Sequence, residues 1–291
     1  MTKPISIGTI TAMLLIGFST AWAQEGVSPY RQPERVQASS DRIAANPQYP
    51  RAQAPSAENA SQGMAAIQKA AVANKYLFVF FWKEKNRQTD AMWPVFQGTT
   101  SKLSDWTDWV AIRVGDPAEK PIVDRFDASR APMPLVLAIA ANGAVTRGFA
   151  AKFDESQLRQ AFVSPCTEQC LKALQDRRLV LLCVQSQGPQ PGQVTLLQGV
   201  TDFTADARFA RSTQVIVLNP GDPTEASFLR ELQVDPRASG PLVVFLAPPG
   251  SLIGKFDGQV TKDQLAAKLA AAQSNPCAGG KCGPNGCGPK R

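Results

Sequence analysis

The 291-residue sequence predicts an α/β protein of two tandem domains, each built of parallel βαβ units followed by a β-hairpin and a helix. A flexible N-terminal arm and a Cys/Gly/Pro-rich C-terminal tail flank them. Three observations predict this. Short, continuously apolar runs alternate with helical patterns, as strands buried on both faces between helices require. Each half then closes on a turn signal, a further strand and a capped helix. Landmarks recur at one spacing: Pro134 with Pro241, Gly143 with Gly250 and Leu158 with Leu265, each pair 107 residues apart.

Residues 1–23 read as a secretory signal peptide. Lys3 supplies a positive start, residues 5–18 are mostly apolar, and Ala21-Trp22-Ala23 is a small-x-small cleavage site before Gln24. An uncleaved membrane anchor is the alternative, and the apolar run is short for that. No later segment has an apolar run of spanning length. The mature chain is therefore expected to be exported, to the periplasm or the cell exterior, with no membrane span. Residues 24–60 are rich in Pro, Gln, Ala, Ser and Arg, and they read as a flexible linker. A short element docked on the domain is the alternative.

The first domain is expected over 61–163. Residues 64–73 form an Ala-rich helix and Tyr76–Trp82 an apolar strand. A second helix covers 90–103, a strand 109–114 and a short helix 119–126. Ala131-Pro132-Met133-Pro134 leads into a strand over 135–140. Asn142-Gly143 turns into 144–149. Asp154 caps a last helix, with Gln157 three residues on and Leu158 and Phe162 facing inward.

The second domain is expected over 164–274. Ser164-Pro165 starts a helix as cap and first-turn proline. Strands follow at 179–184, 214–218 and 242–247, with helices within 194–209 and over 226–232. Pro248-Pro249-Gly250 turns into 251–256, and Thr261 with Gln264 forms a capping box for a final Ala/Leu helix. Residues 275–291 are the Cys-rich tail.

The segment from Phe80 to Phe96 resembles the active-site region of thioredoxin: a strand ending Phe-Trp, a short polar loop, then a helix bearing a proline. Trp82 matches the strand-end Trp, and Pro94 matches the helix-kinking Pro. In that register the two redox cysteines fall on Asn86 and Thr89. Neither side chain can be a thiolate or form a disulfide. The chain is thus similar to two tandem members of the thioredoxin-like superfamily, both lacking the CxxC motif, over about residues 60–272. The resemblance puts the family's cis-proline at Pro134, after Met133, and leaves Gly240-Pro241 open. It also makes the meeting of loop 83–90 with Met133-Pro134 the surface of interest, since open α/β sheets bind ligands at the carboxyl ends of their strands. The loop over 185–193 in the second domain carries no cysteine and reads as a plain connection.

Composition narrows the chemistry. The chain has no histidine, which excludes Ser-His-Asp and Cys-His catalysis and His-ligated metal sites. Its formal net charge of +7 comes from scattered residues without a basic block, so no nucleic-acid partner is expected.

Six cysteines are present, an even number that an exported protein can pair. Cys166 and Cys170 sit four apart near a helix start. They admit a structural disulfide (to each other or to the tail), packed thiols, or a redox or metal role. A direct i,i+4 bridge would distort a regular helix. Cys183 lies inside an apolar strand and reads as a small hydrophobe. Cys277, Cys282 and Cys287 recur every five residues among Gly, Pro and Asn. Such a tail admits disulfide pairing, or Cu or Zn held by three thiolates.

The function expected is a redox-inactive thioredoxin-like binding or assembly module with a protein partner and no required cofactor. With no CxxC and no His the question of enzyme activity stays open, and the non-enzyme reading is favoured. A thiol–disulfide oxidoreductase using Cys166/Cys170 or the tail is one alternative. A metal-handling protein using the tail is the other.

Overall fold

The computed structural model describes residues 61–185, 197–235 and 240–274. The signal-like segment, the arm, most of the loop over 185–193 and the cysteine tail lie outside the described residues.

The first half runs α1 (Gln62–Val72), β1 (Tyr76–Trp82), α2 (Arg87–Lys102), β2 (Thr107–Arg113), α3 (Lys120–Arg125), β3 (Leu135–Ile139), β4 (Val145–Ala150) and α4 (Glu155–Arg159). The strands order as β2-β1-β3-β4, with β1 and β2 parallel and β3 antiparallel to both its neighbours. Strand β1, Tyr-Leu-Phe-Val-Phe-Phe-Trp, lies at the centre because both its faces are covered. Leu77, Val79 and Phe81 pack with Ile67 of α1 and Ile122 of α3. Phe78 and Phe80 pack with Phe96 of α2 and Leu158 of α4 on the other side. Period-two alternation therefore sends every second apolar residue into a different core layer.

The second half repeats this with α5 (Pro165–Gln175), β5 (Leu179–Val184), α6 (Gln198–Ala205), β6 (Thr213–Leu218), α7 (Ala226–Glu231), β7 (Leu242–Ala247), β8 (Ser251–Asp257) and α8 (Lys262–Ser274). Its strands order as β6-β5-β7-β8 with the same parallel and antiparallel pairings. Two tandem thioredoxin-like domains are thus present, as the element order predicts. The Met133-Pro134 bond is cis, and so is Pro248-Pro249; Gly240-Pro241 is not. Even so, Pro134 and Pro241 do the same work: their carbonyls accept from Ala151 N at 2.8 Å and Gly258 N at 2.9 Å, again 107 residues apart.

Helix boundaries differ from the sequence expectation where a cap decides them. Helix α2 starts at Arg87 rather than at residue 90, because the Asn86 side chain accepts from Gln88 N and Thr89 N at 3.1 and 2.9 Å. Strand β2 starts two residues earlier than expected, at Thr107, and α6 falls within the expected 194–209.

A second repeat relates the two halves at a spacing of 106 residues. Gly115-Asp116-Pro117-Ala118-Glu119 and Gly221-Asp222-Pro223-Thr224-Glu225 occupy equivalent 3-10 turns. Asp116 and Asp222 cap those turns through Ala118 N and Thr224 N, both at 2.9 Å. Glu119 and Glu225 are 5% and 2% exposed, and each reaches back to the first helix of its domain. Glu119 accepts from Ser61 Oγ at 2.7 Å, Gln62 N at 2.8 Å and Gly63 N at 3.1 Å. Glu225 accepts from Ser164 Oγ and, at 2.9 Å, from Cys166 N. A helix start leaves N–H donors without intrahelical partners, and its dipole favours an anion there, which is why a carboxylate can be buried at this place.

The domains meet along α5. Tyr76 Oη donates to Glu168 Oε1 and accepts from Val163 N at 3.2 Å. The Gln175 side chain accepts from Val145 N at 2.9 Å and donates to Val145 O at 2.7 Å. That amide stands in for a neighbouring strand residue and closes the start of the β4 edge. Among the described residues no helix is long and apolar enough to cross a membrane.

Candidate functional site

The carboxyl ends of β1 and β2 and the loops entering β3 and leaving β4 converge on one end of the first sheet. Trp82 ends β1 half-buried, with the Arg113 guanidinium from the end of β2 lying 5.8 Å from its ring centre. Lys83, Glu84, Lys85 and Asn86 follow, all exposed. The first turn of α2 is tied to the other loops by one hydrogen bond: Gln88 Nε2 donates to Ala151 O at 2.9 Å. Ala151 N in turn donates to Pro134 O. Helix α2, the loop after β4 and the Met133-Pro134 loop are therefore held as one unit, with Met133 half-buried beside them.

The two positions where the resemblance implies redox cysteines are both committed to structure. Asn86 spends its side-chain oxygen on the cap of α2. Thr89 is buried, and its hydroxyl donates to Glu84 O at 3.1 Å. Both groups organise the loop, and neither side chain can form a disulfide. Pro94 sits on the exposed side of α2, and Trp93 and Phe96 flanking it pack on Phe80. What this end presents is a rigid loop surface with an indole, a thioether and exposed Lys83, Lys85 and Arg87.

The described cysteines lie elsewhere and are unpaired. Cys166 and Cys170 are buried on the inner face of α5 within the second core. The Cys166 thiol donates to Val217 O at 3.6 Å. Burial pushes its pKa up to about 12, and the Glu225 carboxylate pushes in the same direction. Burial also pushes Cys170 up to about 12, helped by Cys166 and Glu225. A helix start ordinarily favours a thiolate, but here the carboxylate that caps the helix has taken that role. Cys183 packs inside β5, and burial pushes it up to about 11. Cys277, Cys282 and Cys287 lie outside the described residues. Among the described residues, no three acidic or cysteine side chains come together as a metal-binding group.

Sequence reasoning placed Trp82, Asn86, Thr89 and Pro134 at one end of the sheet, and the structure brings them there. Gln88 falls inside the expected loop 83–90, but its partner Ala151 and the Arg113 at the end of β2 were not expected there, because their contribution depends on segments far apart in the chain. No local pattern announces them.

No family model and no curated relative matches the sequence. Among solved structures, the chain is similar to thioredoxin O2 from Arabidopsis thaliana in its oxidized state. The identity is 13%, over 38% of this chain and 87% of that one, with a TM-score of 0.29. It is similar over a longer stretch to the first two thioredoxin domains of Saccharomyces cerevisiae Eps1p, at 10% identity, 72% of this chain, 95% of that one and a TM-score of 0.28. Human ERp44 in its zinc-bound form is similar at 12% identity over 74% of this chain and 59% of that one, with a TM-score of 0.32. Strand order, strand direction and the proline-led hairpins, described above independently of these likenesses, make both halves thioredoxin-like.

Proposed function

We propose that this is an exported, redox-inactive thioredoxin-like protein that acts as a binding or assembly module. The surface that contacts its protein partner is the loop unit of Trp82, residues 83–90, Arg113 and Met133-Pro134. One observation carries the reading: Asn86 and Thr89, at the redox positions, are both consumed as structural hydrogen-bonding groups. A loop held this firmly without chemistry suits recognition, because little ordering entropy remains to be lost on binding. Export is supported by Lys3, the apolar run over 5–18 and Ala21-Trp22-Ala23.

The test is thiol–disulfide exchange. The full chain should give no turnover in an insulin-reduction assay. The double variant Asn86→Cys with Thr89→Cys should gain turnover, because the loop and proline that surround such a pair are already in place. Turnover by the native chain that disappears in Cys166→Ser with Cys170→Ser would overturn the proposal in favour of an oxidoreductase.

A further inference from the structure

We propose that the edge of β2, which no strand among the described residues pairs with, is an interface whose occupant is a second copy of this chain, paired antiparallel through β2. Two large apolar residues that the described residues leave exposed lie at the start of this edge: Trp106 at 70%, directly before β2, and Trp109 at 44%, within it. Trp109 lines an open groove of about 560 Å3 together with Ala66 and Lys69 of α1, Ser101 of α2 and Asp108 of β2. Exposed apolar surface beside an unpaired strand marks an association site, because the strand's outward N–H and C=O groups invite another strand.

The equivalent edge of the second domain shows what a closed edge looks like in this fold. Tyr76 N donates to Trp106 O and Leu179 N donates to Ser212 O, which fixes which residues face inward. In a parallel ladder the inward and outward residues then alternate. The outward carbonyls of β6 are those of Thr213, Val215 and Val217. Each is taken by a side chain: Arg178 Nη2 at 2.8 Å, Gln214 Nε2 at 3.4 Å and Cys166 Sγ at 3.6 Å. On β2 the outward residues are Thr107, Trp109, Ala111 and Arg113, and no side chain among the described residues reaches their carbonyls.

Their remaining hydrogen-bonding groups are self-complementary. Thr107 N donates to Leu103 O, so its carbonyl alone is open. Arg113 O accepts from Asp116 N, so its N–H alone is open. Among the described residues nothing pairs with either group of Trp109 or Ala111 on the outward side. An antiparallel two-fold pairing with Val110 facing Val110 of the other copy sets Trp109 against Ala111 and Thr107 against Arg113. In that register each open donor meets an open acceptor, and the groups already used at Thr107 and Arg113 are the ones the register does not need. The large Trp109 side chain falls opposite the small Ala111, and the valines meet on the axis. The interface is isologous and closes at two copies.

Sedimentation of the full chain in reductant, which removes any bridge through the tail cysteines, should give a dimer. Ala111→Pro deletes one ladder donor and should give a folded monomer by sedimentation and circular dichroism. Val110→Cys tests the register independently of that variant's folding: under mild oxidation a Val110→Cys to Val110→Cys crosslink should be recovered by peptide mapping, whereas Ala111→Cys should yield none with itself. A native chain that remains monomeric at all concentrations overturns the proposal. So does a dimer that survives Ala111→Pro, or an absent Val110→Cys crosslink. Slow amide exchange at Trp109 and Ala111 in a monomer would mean that something other than a second copy covers the edge, and would overturn it as well.

Discussion

The backbone N–H of Cys166 donates to the buried carboxylate of Glu225 at 2.9 Å, and this bond anchors the start of the second domain to the turn after β6. Glu119 does the same for Gln62 and Gly63 in the first domain. Each carboxylate ties two segments more than fifty residues apart by satisfying donors that the helix itself cannot. Glu225→Ala and Glu119→Ala should each cost about 1–3 kcal/mol, the penalty of leaving buried donors unsatisfied. Glutamine should cost less, since it keeps one acceptor. Urea unfolding of the full chain checks this, and unchanged midpoints for both alanine variants would contradict the anchoring role.

The buried thiols predict a pH dependence. Burial holds Cys166 and Cys170 up to about 12 and Cys183 up to about 11, above an ordinary thiol value near 9. A folded pKa raised above the unfolded one gives stability that is complete below the unfolded value and is lost as pH rises through the folded value. The protein should therefore lose stability as pH climbs from about 9 toward 12, and the loss should shrink in Cys166→Ala. At pH 8 the three thiols should resist iodoacetamide in the native chain and react in urea. Rapid native alkylation of Cys166 would show that it is not packed as described.

Gly199 occupies a place where a side chain has no room. A Cβ there would fall 2.0 Å from Val260 O, a backbone atom just ahead of α8. Gly199→Ala should force α6 from that segment and destabilise the second domain by about 1–3 kcal/mol or more, as overpacking does. Thermal melting measures this. An unchanged melting temperature would mean that α6 and the start of α8 are not in contact.

Tyr76 joins the two domains by donating to Glu168 while accepting from Val163 N. Burial, with the Glu168 carboxylate adding to it, raises the tyrosine pKa well above its ordinary value. Tyr76→Phe removes both bonds and leaves a half-buried carboxylate without its donor. A loss of about 1–2 kcal/mol is expected, with calorimetry resolving two melting steps where the native chain shows one. An unaltered single transition would place the coupling in the Gln175–Val145 pair instead.

The strands and their burial were legible because an apolar run such as Leu77-Phe78-Val79-Phe80-Phe81 has one stable environment, a sheet covered on both faces. The caps at Asp154 and Ser164 were legible because capping acts within three residues. The start of α2 was not, since Asn86 reads equally well as loop or cap until the helix forms. Glu119 and Glu225 were hidden for another reason. An exposed-looking Glu in a turn gives no local sign that a helix fifty residues earlier will bury it.

The sequence alone determined the two-domain α/β architecture, the absence of histidine chemistry and the identities Asn86 and Thr89 in the loop after β1. These follow from residue identity and from periodicities that act over a few residues. Tertiary structure alone decided what those residues do. Gln88 meets Ala151, Cys166 meets Glu225 and Val217, and the β6 edge is closed by side chains while no side chain among the described residues closes the β2 edge. Each of these joins groups far apart along the chain, and hydrogen bonds of about 3 Å are set by packing, which no stretch of sequence contains by itself.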